Sequence, residues 1–354
     1  MKFLWTLITL ITLSVLSVQS FAQKLPSVQI IQDSIKSSFR GLSVPSDSVI
    51  WVSGSNGTVG RSLDAGKTWK WMIVPGFEKK DFRDIEAFDS MTAIIMAIDN
   101  PAYILKTKDG GVTWKVVFEK EQEGMFLDAM TFIGESGLCI GDPIYLTDST
   151  KKQFVLLETS DAGSTWKIID KSPFATTNES IFAASGSNIW HMIPPDYSFT
   201  KYTFISGGLQ SKLYLVEEGH RPKKVTIDIP MLNGKSSTGA FSMTTNRHHQ
   251  FFITGGDYVE YWKDSGNVVY NTKRGKWKHS SVHGYRSSII QIDKKNFITC
   301  GTNGVDISFD GCKTWKLIHG DGAKGKDGFN VCAKSKTGKA VYFAGTGRIG
   351  KLIP

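Results

Sequence analysis

The sequence predicts an all-β protein: a seven-bladed β-propeller of four-stranded blades, with an N-terminal strand completing the last blade. Three observations carry that prediction. A short apolar run opened by an aromatic or aliphatic residue recurs at Phe39, Phe82, Phe126, Ile181, Phe241, Tyr285 and Phe329. One octamer pattern is written four times, as "SLDAGKTW" (Ser62–Trp69), "TKDGGVTW" (Thr107–Trp114), "TSDAGSTW" (Thr159–Trp166) and "SFDGCKTW" (Ser308–Trp315). The seventh repeat holds only three strand-like runs, while an unclaimed one, "SVQIIQ" (Ser27–Gln32), stands before the first repeat.

The openers lie 43, 44, 55, 60, 44 and 44 residues apart, and about 44 residues is the length of one four-stranded propeller blade. In unit one the strands read "FRGLSV", "VIWVSGS", "TVGRSL" and "WKWMIVP". Unit two gives "FRDIEAF", "AIIMAI", "YILKTK" and "WKVVFE", and unit six "YRSSIIQI", "FITCGT", "VDISF" and "WKLIH". Runs rich in β-branched and aromatic residues between Gly-containing turns are strand signals. Unit four ("IFAASG", "YTFISGG", "KLYLVEE", "KKVTIDIP") has lost its octamer and carries an insertion, "IPPDYSF"; unit five keeps a shortened remnant, "NTKRGKW". Unit seven supplies "FNVCAK", "AVYFAG" and "RIGKLI", and borrowing "SVQIIQ" as its outer strand removes the open sheet edges of an unclosed ring.

The octamer always bridges the third and fourth strands. Asp folds back onto the turn's amides, Gly provides a positive φ, Ser and Thr add hydroxyl bonds, and Trp packs between neighbouring units. On this reading Asp64, Trp69, Asp109, Trp114, Asp161, Trp166, Asp310 and Trp315 are structural. In unit six Cys312 stands where the other copies have Gly.

Residues 1–22 read as a signal peptide: Met1-Lys2 is basic, "FLWTLITLITLSVLSV" is apolar, and Ser20 and Ala22 are the small residues of a cleavage site. Residues 23–354 are then a single propeller domain. No Cys follows the cleavage site, and no later run is apolar enough to cross a bilayer. The expected mature chain is exported, periplasmic or secreted, monomeric, and without stable membrane insertion. The formal charge of +9 is spread over scattered Lys doublets such as Lys79-Lys80 and Lys294-Lys295. Such doublets suit solvated strand edges, and nucleic acid is not an expected partner. Cys139, Cys300, Cys312 and Cys332 allow three pairings, among which the sequence does not choose; three of them sit in apolar runs that favour free buried thiols. No Cys-x-x-Cys or His-x-His spacing marks a metal site, and no Gly-rich dinucleotide fingerprint marks a cofactor. None is expected.

The octamers resemble Asp boxes, also called BNR repeats. More specifically, "SFRGLSV…VIWVSGSNGTVGRSLDAGKTW", "FRDIEAFD", "GMFLDAMTF…GDPI", "IFAASG", "GGDY" and "GYRSS", in that order, resemble the photosystem II stability/assembly factor-like family of Asp-box propellers. The likeness extends over nearly the whole mature chain. It implies a seven-bladed propeller in an exported compartment, holding a protein partner at one face of the ring.

Ligands of such propellers meet the face made by outer-to-inner connections and second-to-third turns, opposite the octamers. The residues after the inner-strand openers are Arg40, Arg83, Leu127, Phe182, Ser242, Arg286 and Asn330. Three of the chain's eight Arg share this phase, and Arg40, Arg83 and Arg286 are the candidate anion-binding cluster. Asp84 and Asp128 are third in their openers, Asp142 and Asp257 end second strands, and Tyr285 neighbours Arg286. Guanidinium forks suit a carboxylate, sulfate or peptide terminus; the competing reading is that these Arg and Asp pair across units and pin the ring. The expected ligand is a protein, a peptide or an acidic glycan. The alternative is a sialidase-like or other glycan-cleaving hydrolase, with a Tyr nucleophile and an Asp acid/base. "SFRGL" resembles the Phe-Arg opener of sialidases, but the Ile-Pro that follows there is absent, sialidases have six blades, and no Tyr–Glu pair follows from spacing.

Overall fold

The computed structural model describes residues 24–354, apart from 147–149, 192–199, 218–223, 247, 249 and 323. The expected signal peptide and the unit-four insertion at Ile193–Phe199 lie outside the described residues. Every regular element among the described residues is a β-strand.

Units one, two, three and six each form an antiparallel four-stranded meander, in unit one through Phe39–Ser43, Ile50–Gly54, Thr58–Ser62 and Lys70–Ile73. Second strands such as Ile50–Gly54, Ala93–Ala97 and Phe297–Gly301 are buried at every residue. Both of their faces meet a neighbouring sheet, which is why they read as continuous rather than alternating apolar runs. Fourth strands such as Lys70–Ile73 are partly or fully exposed. Ser27–Gln32 pairs antiparallel with Arg348–Ile353, Ser27 opposite Ile353 and Val28 opposite Leu352, making a fourth strand for the sheet of unit seven.

Units four and five share one nine-stranded sheet, joined by a single pair between Gly207 and Gly239. Gly239 has a φ of +130°, and a Cβ there would lie 2.7 Å from the Gly207 Cα, so no side chain fits at this junction. The expected inner strand "IFAASG" is not regular. Only Glu179–Ser180 and Ile189–His191 pair, because side chains have taken the intervening backbone groups: Ile181 N donates to Asp142 Oδ1, and Asn188 Nδ2 donates to the Phe182 carbonyl.

The four octamers share one hydrogen-bond plan. In unit one, Thr68 donates its amide to Asp64 Oδ1 (2.9 Å) and its hydroxyl to Asp64 Oδ2 (2.6 Å), while the Gly66 amide donates to Ser62 Oγ (2.9 Å). Asp109, Asp161 and Asp310 repeat it. These bonds, led by the Thr hydroxyl, hold the Asp64 and Asp109 carboxyls down to about 2. Cys312 adopts the glycine conformation, with a φ of 65° against 86° at Gly66, and its buried side chain joins an apolar cluster with Phe252 and Phe297. Such clusters lie between units. Trp51 and Val59 of unit one pack with Phe82 and Ile95 of unit two, and Trp114 leans on that group. Trp166 is buried and Trp69, Trp114 and Trp315 are half-buried; Trp69 stacks on Trp71 at 5.1 Å. All four cysteines are buried free thiols.

Candidate functional site

Inner strands begin on the face opposite the octamers, and several begin with an irregularity. The pairing register slips at Arg40, Arg83, Asp128 and Phe241. A bulged residue leaves the ladder and its side chain is re-aimed. These four, together with Phe182, Tyr285 and Asn330, line one cavity of about 460 Å³, so each of the seven sequence repeats contributes a residue to it. Asp142, at a register slip inside the second strand of unit three, and Tyr258 and Thr302, just after the second strands of units five and six, add to the wall.

This ring differs from the phase read in the sequence at three units. Asp128 stands in place of Leu127, because the bulge of unit three falls one residue later; Phe241 replaces Ser242, because that of unit five falls one earlier. In unit six Tyr285 lines the cavity rather than Arg286.

Arg286 is fully buried and fully engaged. Its Nε (2.8 Å) and Nη2 donate to Asp306 Oδ2, and its Nη1 donates to Asn303 Oδ1 (2.6 Å) and the Tyr285 carbonyl (2.9 Å). His283 Nδ1 meets the other Asp306 oxygen. Burial alone would raise the Asp306 carboxyl, but Arg286 and His283 hold it below its ordinary value. The expected third cation is therefore a structural ion pair, and Asp306, His283 and Asn303 are partners that the spacing did not reveal. An Asp inside the apolar strand "VDISF" was the available signal.

Arg40 and Arg83 do come together. Arg40 is half-buried, and its guanidinium makes no hydrogen bond among the described residues; burial first, then the Arg83 charge, lowers its pKa, with Tyr285 and Asp81 acting the other way. Arg83 donates through Nε to Asp81 Oδ2 (2.9 Å), leaving its terminal Nη atoms without a hydrogen bond in the described residues. Asp142, which takes the Ile181 amide at 2.8 Å, is raised to about 6 by burial. Across from the charges lies an aromatic wall: Phe182 stacks on Phe241 at 3.9 Å, and Tyr285 meets Phe241 edge-on at 4.8 Å. Burial pushes the Tyr285 phenol up.

Asp84 and Asp257 are not in the cavity wall. Asp84 accepts the Ile85 amide (2.8 Å) and, across units, the Met130 amide (2.6 Å), so it ties two units together through backbone groups rather than through an Arg. Asp257 accepts the Val259 amide (2.9 Å) and pairs with Lys235 at 3.4 Å, shaping its own loop. Asp142 and Ser180 also line a second, larger cavity of about 1220 Å³, flanked by the exposed Tyr145 and Phe174.

The acids set a pH dependence. Burial raises Asp84 to about 7 and Asp142 to about 6 from 3.8. A folded-state value above the unfolded one means the folded form binds the proton more tightly. Stability from these two is full below about 3.8 and is lost as pH rises through 6 to 7. The octamer acids act oppositely, losing their contribution as pH falls from 3.8 towards about 2. The melting temperature should therefore rise from about pH 8 to about pH 5 and fall again below about pH 3. Asp142→Asn should flatten the upper limb; a parent flat across that limb would mean these acids are not held protonated.

No protein-family model matches the sequence, and no curated protein matches it. Solved structures do. YCF48 bound to D1 peptide has a TM-score of 0.64 at 13% identity, covering 94% of this chain and 98% of that one. YCF48 from Cyanidioschyzon merolae gives 0.60 at 13%, covering 93% and 99%. A GH74 xyloglucanase from Xanthomonas campestris gives 0.56 at 12%, covering 92% of this chain but 53% of the enzyme. At these identities the likeness is one of fold, and it bears out the resemblance carried by the sequence motifs: this chain is a β-propeller built like YCF48, a photosystem II assembly factor.

Proposed function

We propose that this chain is an exported binding scaffold that takes the carboxylate end of a peptide or protein into the mouth of a closed seven-bladed ring. The observation that carries the reading is the pair Arg40 and Arg83, with unengaged guanidinium nitrogens, opposite the Phe182–Phe241–Tyr285 wall of one small cavity. The cations suit a terminal carboxylate and the rings a terminal side chain. The larger cavity beyond Asp142 offers the rest of the peptide a way out. A similar fold that has been solved with a D1 peptide supports a peptide ligand over an acidic glycan. Ring closure is supported by the seventh sheet, in which the first strand pairs with the last, and by Tyr342 and Ala344 of unit seven packing with Phe39 and Val52 of unit one. Residues 1–22 act as the export signal in this proposal, and the remainder works as a monomer in the periplasm or outside the cell.

The test is a synthetic peptide array displayed with free and with amidated C-termini. Free-carboxylate peptides should bind and their amidated twins should not. Arg40→Ala and Arg83→Ala should each weaken binding by about 1.5–3 kcal/mol, the usual worth of a hydrogen bond to a charged group. Amide and acid forms binding alike would sink the proposal. The hydrolase reading keeps one favourable observation, the Asp128 and Asp142 carboxyls in the same cavity. Against it, Tyr285 is buried with its phenol pushed up, and no carboxylate hydrogen bond to that phenol occurs among the described residues. Turnover of any acidic glycan or xyloglucan would favour the hydrolase.

A further inference from the structure

Asp128 is the most anomalous group in the cavity. It is 0% exposed, it borders the cavity, and neither carboxyl oxygen has a hydrogen-bond partner among the described residues. Two other buried carboxyls are satisfied: Asp84 by two amides, Asp306 by Arg286 and His283. A buried acid with no partner costs stability unless something supplies one. Its neighbours do not. Burial first, and then the Asp142 charge, hold its carboxyl well above the ordinary value; against them act Arg83, which forms no ion pair with it, and the Asp142 and Ala183 amides, which lie close without reaching full hydrogen-bond geometry. Asp84 and Cys139 also stand near: burial first, and then the Asp84 and Asp128 charges, push up the Cys139 thiol. The order of charge around the wall is Arg40, Arg83, Asp128, Asp142: two cations, then two acids.

We propose that Asp128, with Asp142 beside it, is the receptor for a positively charged nitrogen that the ligand carries close to its carboxylate. This rests on the peptide-terminus reading and sharpens it. A carboxylate at Arg40 and Arg83 places the nitrogen of the same residue, or the side chain of the next, against unit three. Two sources share that chemistry: the ammonium of a free α-amino acid, and a Lys or Arg at the end of a peptide. The arriving cation supplies the partner that Asp128 lacks and favours its ionised form, so the proton held by Asp128 is released to solvent.

The test is isothermal titration calorimetry on the full mature chain near pH 7. One arm compares L-phenylalanine with N-acetyl-L-phenylalanine; the other compares free-carboxylate hexapeptides with Lys or with uncharged norleucine at the last two positions. In whichever arm holds the true source, the charged member should bind about tenfold or more tightly. It should release a proton, read from runs in two buffers of different ionisation heat. Asp128→Asn, nearly the same shape, should erase the preference and the proton release while keeping the weaker binding of the uncharged member. A melt of the variant confirms the fold, and Asp142→Asn should reduce the preference part of the way. A preference absent from the parent in both arms, or unchanged in Asp128→Asn, overturns the proposal. If norleucine-ended acids bind and their amides do not, the peptide-terminus reading survives that failure; if no member of either arm binds, both fall.

Discussion

A variant lacking residues 24–33 should melt far below the parent, or fail to fold. The segment contains Ser27–Gln32, whose pairing with Arg348–Ile353 supplies the outer strand of the last sheet. Its side chains are shared between two packing groups. Val28 and Ile30 lean on the cluster of Phe329, Cys332 and Phe343, and Ile31 on that of Phe39, Val331 and Tyr342. One short strand thus contributes to the seam between units six and seven and to the seam between units seven and one. Three half-buried aliphatic side chains at roughly 1 kcal/mol each, with the ladder bonds added, put the loss at about 4 kcal/mol or more. That is a large share of the stability of an ordinary domain, and it leaves Arg348–Ile353 as an open edge that invites aggregation. Chemical denaturation followed by Trp fluorescence would read the loss. Adding a synthetic 24–33 peptide should raise the midpoint in a dose-dependent way, which separates a missing strand from general damage. Equal midpoints for parent and variant would show that the strand is dispensable.

The elements were legible where a residue type has one physical job. An aromatic or aliphatic opener recurs at the inner-strand start of all seven units, and the octamer turn recurs in the four whose third-to-fourth connection it closes. Their spacing alone located the four-stranded sheets and the partner of Ser27–Gln32. The site was legible only in part, for a reason rooted in strand geometry. Side-chain direction alternates with period two, so a bulge that moves by one residue exchanges the inward and outward sets. Arg40 and Arg83 fell in the right phase because their bulges coincide. The bulges at Asp128 and Phe241 are displaced in opposite directions, so counting from the opener named Leu127 and Ser242 instead. Asp128 was still singled out, but as one acid in a row with Asp84, whose carboxyl is spent on the Met130 amide. Unit four escaped prediction because its inner strand is broken by side-chain bonds from Asp142 and Asn188, which no periodicity encodes.

Arg286 offers the sharpest separation of structure from binding. Replacing it with Met should destabilise the protein by about 3–5 kcal/mol, the range for removing one partner of a buried ion pair. The loss arises because Asp306, 0% exposed, would keep only His283, and because Asn303 Oδ1 and the Tyr285 carbonyl would lose their donor. The damage should depend on pH with a definite sign. Asp306 is now held below its ordinary value by Arg286 and His283; without Arg286, burial dominates and raises it. Protonating the stranded acid relieves the penalty, so the variant should recover part of its deficit between about pH 8 and about pH 5. Protonation of His283, whose pKa the Asp306 bond already raises, acts in the same direction. Adding Asp306→Leu to Arg286→Met should restore much of the stability, since an apolar pair of similar volume often replaces a buried ion pair at little cost. Binding should behave differently. Arg286 lies outside the cavity wall that Arg40 and Arg83 share. Below its melting temperature, the double variant should therefore bind free-carboxylate peptides within about twofold of the parent, well under the effect of losing one charged contact. A well-folded double variant that no longer binds would return Arg286 to the site and leave Arg40 and Arg83 insufficient without it.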